Sequence, residues 1–297
     1  MKKLNEQKIS LLMEALPYIK KFKGKTFVIK YGGSIMKNEN SKKAFIEDVA
    51  LMNLVGINVI IVHGGGPYIS KFLNKLDVES NFIDGLRVTD KETMEAVEMI
   101  LSAKINKEIA SKLCSHDISA IGISGRDSNL IKAKKKYIFK DNKKIDIGYV
   151  GEVVSINKKL LLDLIENNHL PVISPIGCDL EGNIYNVNAD YAASSISSCL
   201  KAEKLILLTD VKGIYKDLND ESTFISSINT EKIKEYIKSG IIKGGMIPKL
   251  ECCIDALESG TKNIHLIDGR REHSILLEIF TNEGMGTMIE GGNKNGN

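Results

Sequence analysis

Short, unbroken apolar runs alternate with helix-period segments along most of this chain. Aliphatic and β-branched stretches near 26–31, 58–63, 119–123, 171–174, 204–209 and 263–267 predict strands. Their continuity fits strands buried on both faces, because a half-solvated strand alternates apolar and polar positions. Between them, apolar residues recur at helical spacing over 42–55, 67–76, 90–114, 157–168, 189–201, 229–239 and 247–259. Upstream, Ile9, Leu11, Leu12, Met13, Leu16 and Ile19 mark an amphipathic helix across 6–23. This alternation predicts parallel βαβ units in an α/β sandwich. Residues 129–154 break the rhythm and predict hairpins, one turning near Asp141-Asn142. Turn formers from Cys178 to Asn183 place a lobe boundary near 178–183, and the Gly/Asn tail at 291–297 is expected to be frayed.

Composition narrows the class. The 297 residues are 43% hydrophobic and 27% charged, enough for one large α/β unit or two lobes. Lys+Arg of 41 against Asp+Glu of 38 gives a net +3, too balanced to argue for nucleic acid. The basic run Lys132–Lys144 reads as a solvated hairpin. The chain lacks the ~18-residue apolar run of a membrane span. Met1 to Gln7 carries no apolar signal core, so a cytoplasmic protein is expected. Five cysteines without C-x-x-C spacing are expected to be reduced and mostly buried, and five histidines without H-x-x-x-H spacing predict no protein-bound transition metal.

The candidate chemistry sits where strands run into glycines. Val59-Ile60-Ile61-Val62-His63 leads into Gly64-Gly65-Gly66-Pro67, and Thr26 to Tyr31, with Lys30 near its end, leads into Gly32-Gly33. Glycine frees the backbone to turn sharply and bring N–H groups against an anion. Gly244-Gly245-Met246-Ile247-Pro248-Lys249 is a third such turn, opening a helix with a lysine in its first turn. A lone glycine pair is usually only a tight turn; three, two of them with a lysine, predict a phosphate or carboxylate site. The Walker pattern and G-x-G-x-x-G are both missing, which argues against a P-loop or dinucleotide site.

Asn186-Val187-Asn188-Ala189-Asp190 is the second informative run. An N-cap ahead of the following helix explains one of its polar residues, not three. An Asp190 buried between Lys30 and Lys249 would hold both ammonium groups in place. Arg87, in Gly85-Leu86-Arg87-Val88-Thr89-Asp90, is either a solvated rim cation or a fork for a substrate carboxylate. Thr209-Asp210-Val211-Lys212-Gly213-Ile214-Tyr215 leaves a strand at its carboxyl end, where α/β sheets bind ligands; Asp210 and Tyr215 are candidates for nucleotide contacts, with a plain turn the alternative.

Taken together, the K-Y-G-G-S, H-G-G-G-P, G-L-R-V-T, N-V-N-A-D, T-D-V and G-G-M-I-P-K runs resemble the acetylglutamate kinase family of the amino acid kinase superfamily, in order from about 24 to 290. The resemblance implies a three-layer αβα sandwich around a mainly parallel sheet. It also implies a lobe over 24–180 for N-acetyl-L-glutamate and a lobe over 181–297 for ATP. Carried over, Lys30 and Lys249 would stabilise the transferring phosphoryl group and Asp190 would orient them. Gly32 and Gly33 would hold phosphate, and Gly65, Gly66, Arg87, Asn186 and Asn188 the substrate. Asp210, Gly213, Tyr215, Gly245 and Met246 would surround the nucleotide, with Mg²⁺ held mainly by phosphates and water. The substrate carboxylate is already ionised at neutral pH, so no general base is required, and His63 is expected to anchor its turn instead. Family members inhibited by L-arginine carry an N-terminal helix and assemble as hexamers, trimers of dimers. Residues 1–23 resemble that extension, and Tyr18, His265, Glu278 and Gly284 would border an arginine site; a surface helix packed on its own subunit is the alternative. The nearest rival substrate, acetylaminoadipate, is longer by one methylene, a difference worth only about 1–3 kcal/mol in a pocket. A catalytically silent sensor is disfavoured because Lys30, Asp190 and Lys249 are all present.

Overall fold

The computed structural model describes residues 13–140, 143–217, 219–282 and 284–291; the first residues of the expected N-terminal helix, the expected turn at Asp141-Asn142 and the tail beyond 291 lie outside them. The six apolar runs form the strands they predict: β1 (Thr26–Tyr31), β2 (Asn58–His63), β3 (Ala120–Ser124), β4 (Leu170–Ser174), β5 (Lys204–Thr209) and, after the short edge strand β6 (Ser227–Asn229), β7 (Asn263–Asp268). With β8 (Thr287–Glu290) they make one eight-stranded sheet in the order β6-β8-β7-β5-β1-β2-β4-β3. All six long strands run parallel, and β8 pairs antiparallel to β7.

Two apolar clusters cover the two faces. Phe27, Ile29 and Tyr31 of β1 point into one, against the helices Glu39–Leu54, Gly66–Lys75 and Ser274–Phe280. Val28, between them, points into the other, against Ala189–Leu200, Thr230–Lys238 and Met246–Glu258. That makes three layers, with the sheet dry on both sides. The helical segment over 91–114 holds a π-helical stretch, Met99–Ile105, between two α-helical parts. The irregular region is a long hairpin, Ile131–Lys140 against Lys143–Ile156, closed into a small barrel by Ile176–Cys178 and Ile184–Val187. The turn formers near 178–183 therefore connect two paired strands of this barrel. All five cysteines are free; Cys178, Cys252 and Cys253 are buried, and Cys114 is exposed. No helix among the described residues is long and apolar enough to cross a membrane.

Candidate active site

Parallel pairing sets the site. Lys30 of β1 lies opposite Leu207 of β5 and Val62 of β2, and Tyr31 opposite His63, so the glycine turns after β1 and β2 leave the same sheet edge side by side. The Gly64 N–H donates to the Tyr31 carbonyl at 2.7 Å, tying the two turns together. A side chain at Gly32 would meet the Gly64 backbone nitrogen at 3.3 Å, and one at Gly65 would meet Leu101 and Ile105 at 2.5 Å. Gly33 has φ +70°, a conformation that side chains disfavour. Two helices that begin here, Gly66–Lys75 and Met246–Glu258, start after glycines and have no side-chain cap, leaving first-turn N–H groups for a ligand.

Asp190 opens the Ala189–Leu200 helix and takes both lysines. Lys30 Nζ lies 3.1 Å from Oδ1, which has no other partner, and Lys249 Nζ donates to Oδ2 at 2.5 Å. All three side chains are less than one-fifth exposed, at 14%, 16% and 17%. Burial alone would raise the Asp190 pKa, but the two ammonium groups hold it far below the carboxylate range. Burial works against the Lys249 charge as well, and Asp190 overcomes it, raising the Lys249 pKa. The geometry is a rigid cation pair on one carboxylate, ready to face anionic oxygens. Asn188 caps the helix, its Oδ1 accepting from the Asp190 N–H at 2.8 Å. The capping alternative thus accounts for Asn188 but not for Asn186, whose Nδ2 donates to Thr89 Oγ1 at 3.2 Å.

Arg87 is not a solvated rim cation. It is buried under the Phe82 ring, its Nη1 donating to Ser80 Oγ at 2.6 Å and its Nη2 to Ser70 Oγ at 2.7 Å and the Gly66 carbonyl at 3.1 Å. The short hairpin carrying it is pinned by Thr89, whose N–H donates to Ile147 O at 3.0 Å and whose carbonyl accepts from Tyr149 N at 2.6 Å. Gly148, between those partners, has φ +77°, and a Cβ there would sit 2.0 Å from the Thr89 oxygen. Ser70, Ser80 and Gly148 had not been singled out; a glycine inside a strand-like run was the one available signal for Gly148.

Lys30, Gly33, Gly64 to Gly66, Arg87, Asn186, Asn188 and Asp190 line a cleft of about 230 Å³. A neighbouring one of about 820 Å³ is lined by Asn188, Asp190, Tyr191, Gly244, Gly245 and Lys249, so Asn188 and Asp190 stand between the two. Asp210 follows β5 at this sheet edge. A Cβ at Gly213 would meet Thr287 and Phe224, and Tyr215 lies against the Phe224 ring at 5.3 Å. Met246 rests partly buried on the apolar cluster around Leu250 and Cys253. Among the described residues no group of three His, Cys, Asp or Glu is placed to hold a metal ion.

His63 is fully buried, its Nδ1–H donating to the Gly64 carbonyl at 3.0 Å and its Nε2 accepting from Asn106 Nδ2 at 3.2 Å. Burial pushes its pKa down to about 4, so it stays neutral and braces the turn. The unfolded chain gains the proton near pH 6.5 while the folded one refuses it, so stability is lost as pH falls through this window, by roughly 3 kcal/mol. Asp48, which burial raises to about 6, acts in the opposite sense. The readout is therefore the difference in urea midpoint between wild type and His63→Gln at pH 7 and pH 4.5, and the variant should lose less stability on acidification.

A separate cluster forms where the helix over 13–22 meets the C-terminal segment. The Tyr18 hydroxyl donates to Asn282 Oδ1 at 2.5 Å. His265 Nδ1–H donates to Glu278 Oε1 at 2.5 Å, and Lys204 Nζ donates to His265 Nε2 at 2.6 Å. Glu278 Oε2 accepts from the N–H groups of Met285 and Gly286, and Gly284 lies against the same carboxylate. Burial lowers the pKa of Lys204 to about 8 and that of His265 below its usual value.

The three-layer sandwich carries glycine turns and a lysine–aspartate–lysine cluster at one sheet edge, and the amino acid kinase family model matches residues 25–268, which with the relatives below makes the chain an ATP-dependent kinase. The chain belongs to that family, on its acetylglutamate kinase branch. It is 55% identical over 282 residues to the acetylglutamate kinase of Thermoanaerobacter pseudethanolicus, covering 95% of this chain and 93% of that one. Against the enzyme of the same name from Clostridium acetobutylicum, identity is 51% over 284 residues, with 96% and 95% covered. The N-acetylglutamate synthase of Neisseria gonorrhoeae, solved with coenzyme A and N-acetyl-glutamate, shares the fold with a TM-score of 0.83 at 22% identity; 96% of this chain matches, spanning 64% of the synthase.

Proposed function

We propose that this chain phosphorylates the side-chain carboxylate of N-acetyl-L-glutamate with MgATP, giving N-acetyl-L-glutamyl 5-phosphate and ADP in arginine biosynthesis in the cytoplasm. The observation that carries the reading is Asp190 clamped between Lys30 and Lys249 where two clefts meet. In the smaller cleft, toward the 24–180 lobe, Arg87 and Asn186 hold the acyl amino acid and the Gly65 and Gly66 amides grip its reacting end. In the larger cleft, toward the 181–297 lobe, Gly245 and the following helix start hold the phosphates, with Asp210 and Met246 nearby. Lys30 and Lys249 neutralise charge on the phosphoryl group as it passes in line between the clefts. The names of the relatives support the choice of substrate. Incubating the protein with MgATP and N-acetylglutamate, acetylaminoadipate, carbamate, glutamate or aspartate, then trapping the acyl phosphate with hydroxylamine, tests it. Acetylglutamate should give the hydroxamate fastest; no product from it would end the reading.

The same proposal includes feedback inhibition by L-arginine in a hexamer, a trimer of dimers. Glu278, buried beside Gly284 and bonded to His265, and Tyr18, bonded to Asn282, support an arginine site where this helix meets the C-terminal segment. Deleting residues 1–20 should abolish arginine sensitivity and shrink the particle in sedimentation. A truncated protein still hexameric and equally inhibited would discard this part.

A further inference from the structure

Lys136 sits in the basic run that reads as a solvated hairpin, and the structure corrects that reading at this position. Its neighbours do face outward onto carboxylates: Lys134 pairs with Glu152 at 3.3 Å and Lys135 with Asp146 at 2.7 Å. The ladder between the two strands then slips. Lys135 pairs with Gly151, but Tyr137 pairs with Asp146, leaving Lys136 without a partner in the register. Such an irregularity re-aims a side chain, commonly beside a binding site. Here it turns Lys136 over the Tyr191 ring, with Nζ 4.4 Å from the centroid, and into the lining of the larger cleft beside Asp190, Gly244, Gly245 and Lys249. Lys136 makes no ion pair among the described residues.

A partly exposed lysine in the cleft lining, without a carboxylate partner, is available to an anion there. The cleft's own inventory points the same way: Asp190 cancels one of the two lysines it holds, so that trio presents a single net positive charge to a polyphosphate that stays anionic with Mg²⁺ bound. We propose that Lys136 is a third phosphate-binding cation, contacting the nucleotide's phosphate chain from the barrel side of the cleft. The proposal rests on the nucleotide occupying this cleft. The Tyr191 ring restrains the lysine stem and leaves its N–H groups free to reach a phosphate oxygen. Leu86 and Ile83 of the Arg87 hairpin pack on Ile138, two residues from Lys136, so the cation and the substrate-side arginine ride on one small apolar body.

Calorimetric titration of the full-length protein with MgATP and with adenosine tests this without relying on turnover. Lys136→Met, which keeps the stem on Tyr191, should weaken MgATP binding about tenfold or more and leave adenosine binding unchanged. Lys136→Arg should recover most of the loss. Unchanged MgATP affinity in Lys136→Met overturns the proposal, as does an equal loss for MgATP and adenosine, which marks a structural defect. Failure of the acetylglutamate reading would show instead as a missing hydroxamate in the wild-type protein, with MgATP binding still measurable.

Discussion

Lys249→Ala and Lys30→Ala each lower kcat by roughly 10²–10³, the loss typical of removing one preorganised charge donor from a developing oxyanion. The reasoning runs through what the site lacks. His63 is neutral, buried and fully engaged with Gly64 and Asn106, so the histidine of the glycine turns is not free to move a proton. An ionised carboxylate needs none, and the barrier then lies in bringing two anions together and spreading charge over the phosphoryl oxygens. On the proposed function, the two ammonium groups and the glycine amides supply that at the transferring group, with Lys136 on the nucleotide side. Since Lys30 lines one cleft and Lys249 the other, both held on Asp190 where the clefts meet, their loss should act on kcat more than on the KM for either substrate. Hydroxamate formation at saturating MgATP and acetylglutamate measures it. A kcat within a few-fold of wild type in both variants would remove the phosphoryl-stabilising role.

How much of this was legible in the sequence depended on how local each signal was. Five of the six long strands could be read because they are buried on nearly every position of both faces and carry apolar runs, whereas the edge strand β3, Ala120–Ser124, is only partly buried and showed itself by Ile121 and Ile123. The short strands β6 and β8 at one end of the sheet and the helix Ser274–Phe280 were missed: short elements offer too few positions for a period to show. That the strands joined by the turn formers at 178–183 pair with each other was not legible, because a turn looks the same whether the flanking chain diverges or returns. Lys30, Asp190 and Lys249 were legible as members of glycine- and asparagine-marked junctions, and topology did the rest by aligning those junctions at one edge. Ser70 and Ser80, which hold Arg87, look like any surface serine in sequence. Lys136 was misread because its direction depends on a register slip, and a slip is a property of two strands, invisible in either alone.

Asp190→Asn should cost as much activity as losing either lysine, about 10²–10³ in kcat, although the side chain is assigned no contact with the reacting atoms. Its carboxylate is ionised at every working pH, because the two ammonium groups hold its pKa far below neutrality. The amide keeps the shape and removes the charge. Two ammonium groups, each now less than one-fifth exposed and without a counter-ion, then repel each other, and at least one must turn toward water. A double-mutant cycle separates this from a general loss of structure. If Asp190 acts by holding Lys249, then Asp190→Asn combined with Lys249→Ala should be little worse than Lys249→Ala alone. Effects that simply multiply would instead make Asp190 an independent contributor and break the clamp as the organising element of the site. Lys30 supplies the internal check: paired with Asp190 through the other oxygen, it should show the same non-additivity.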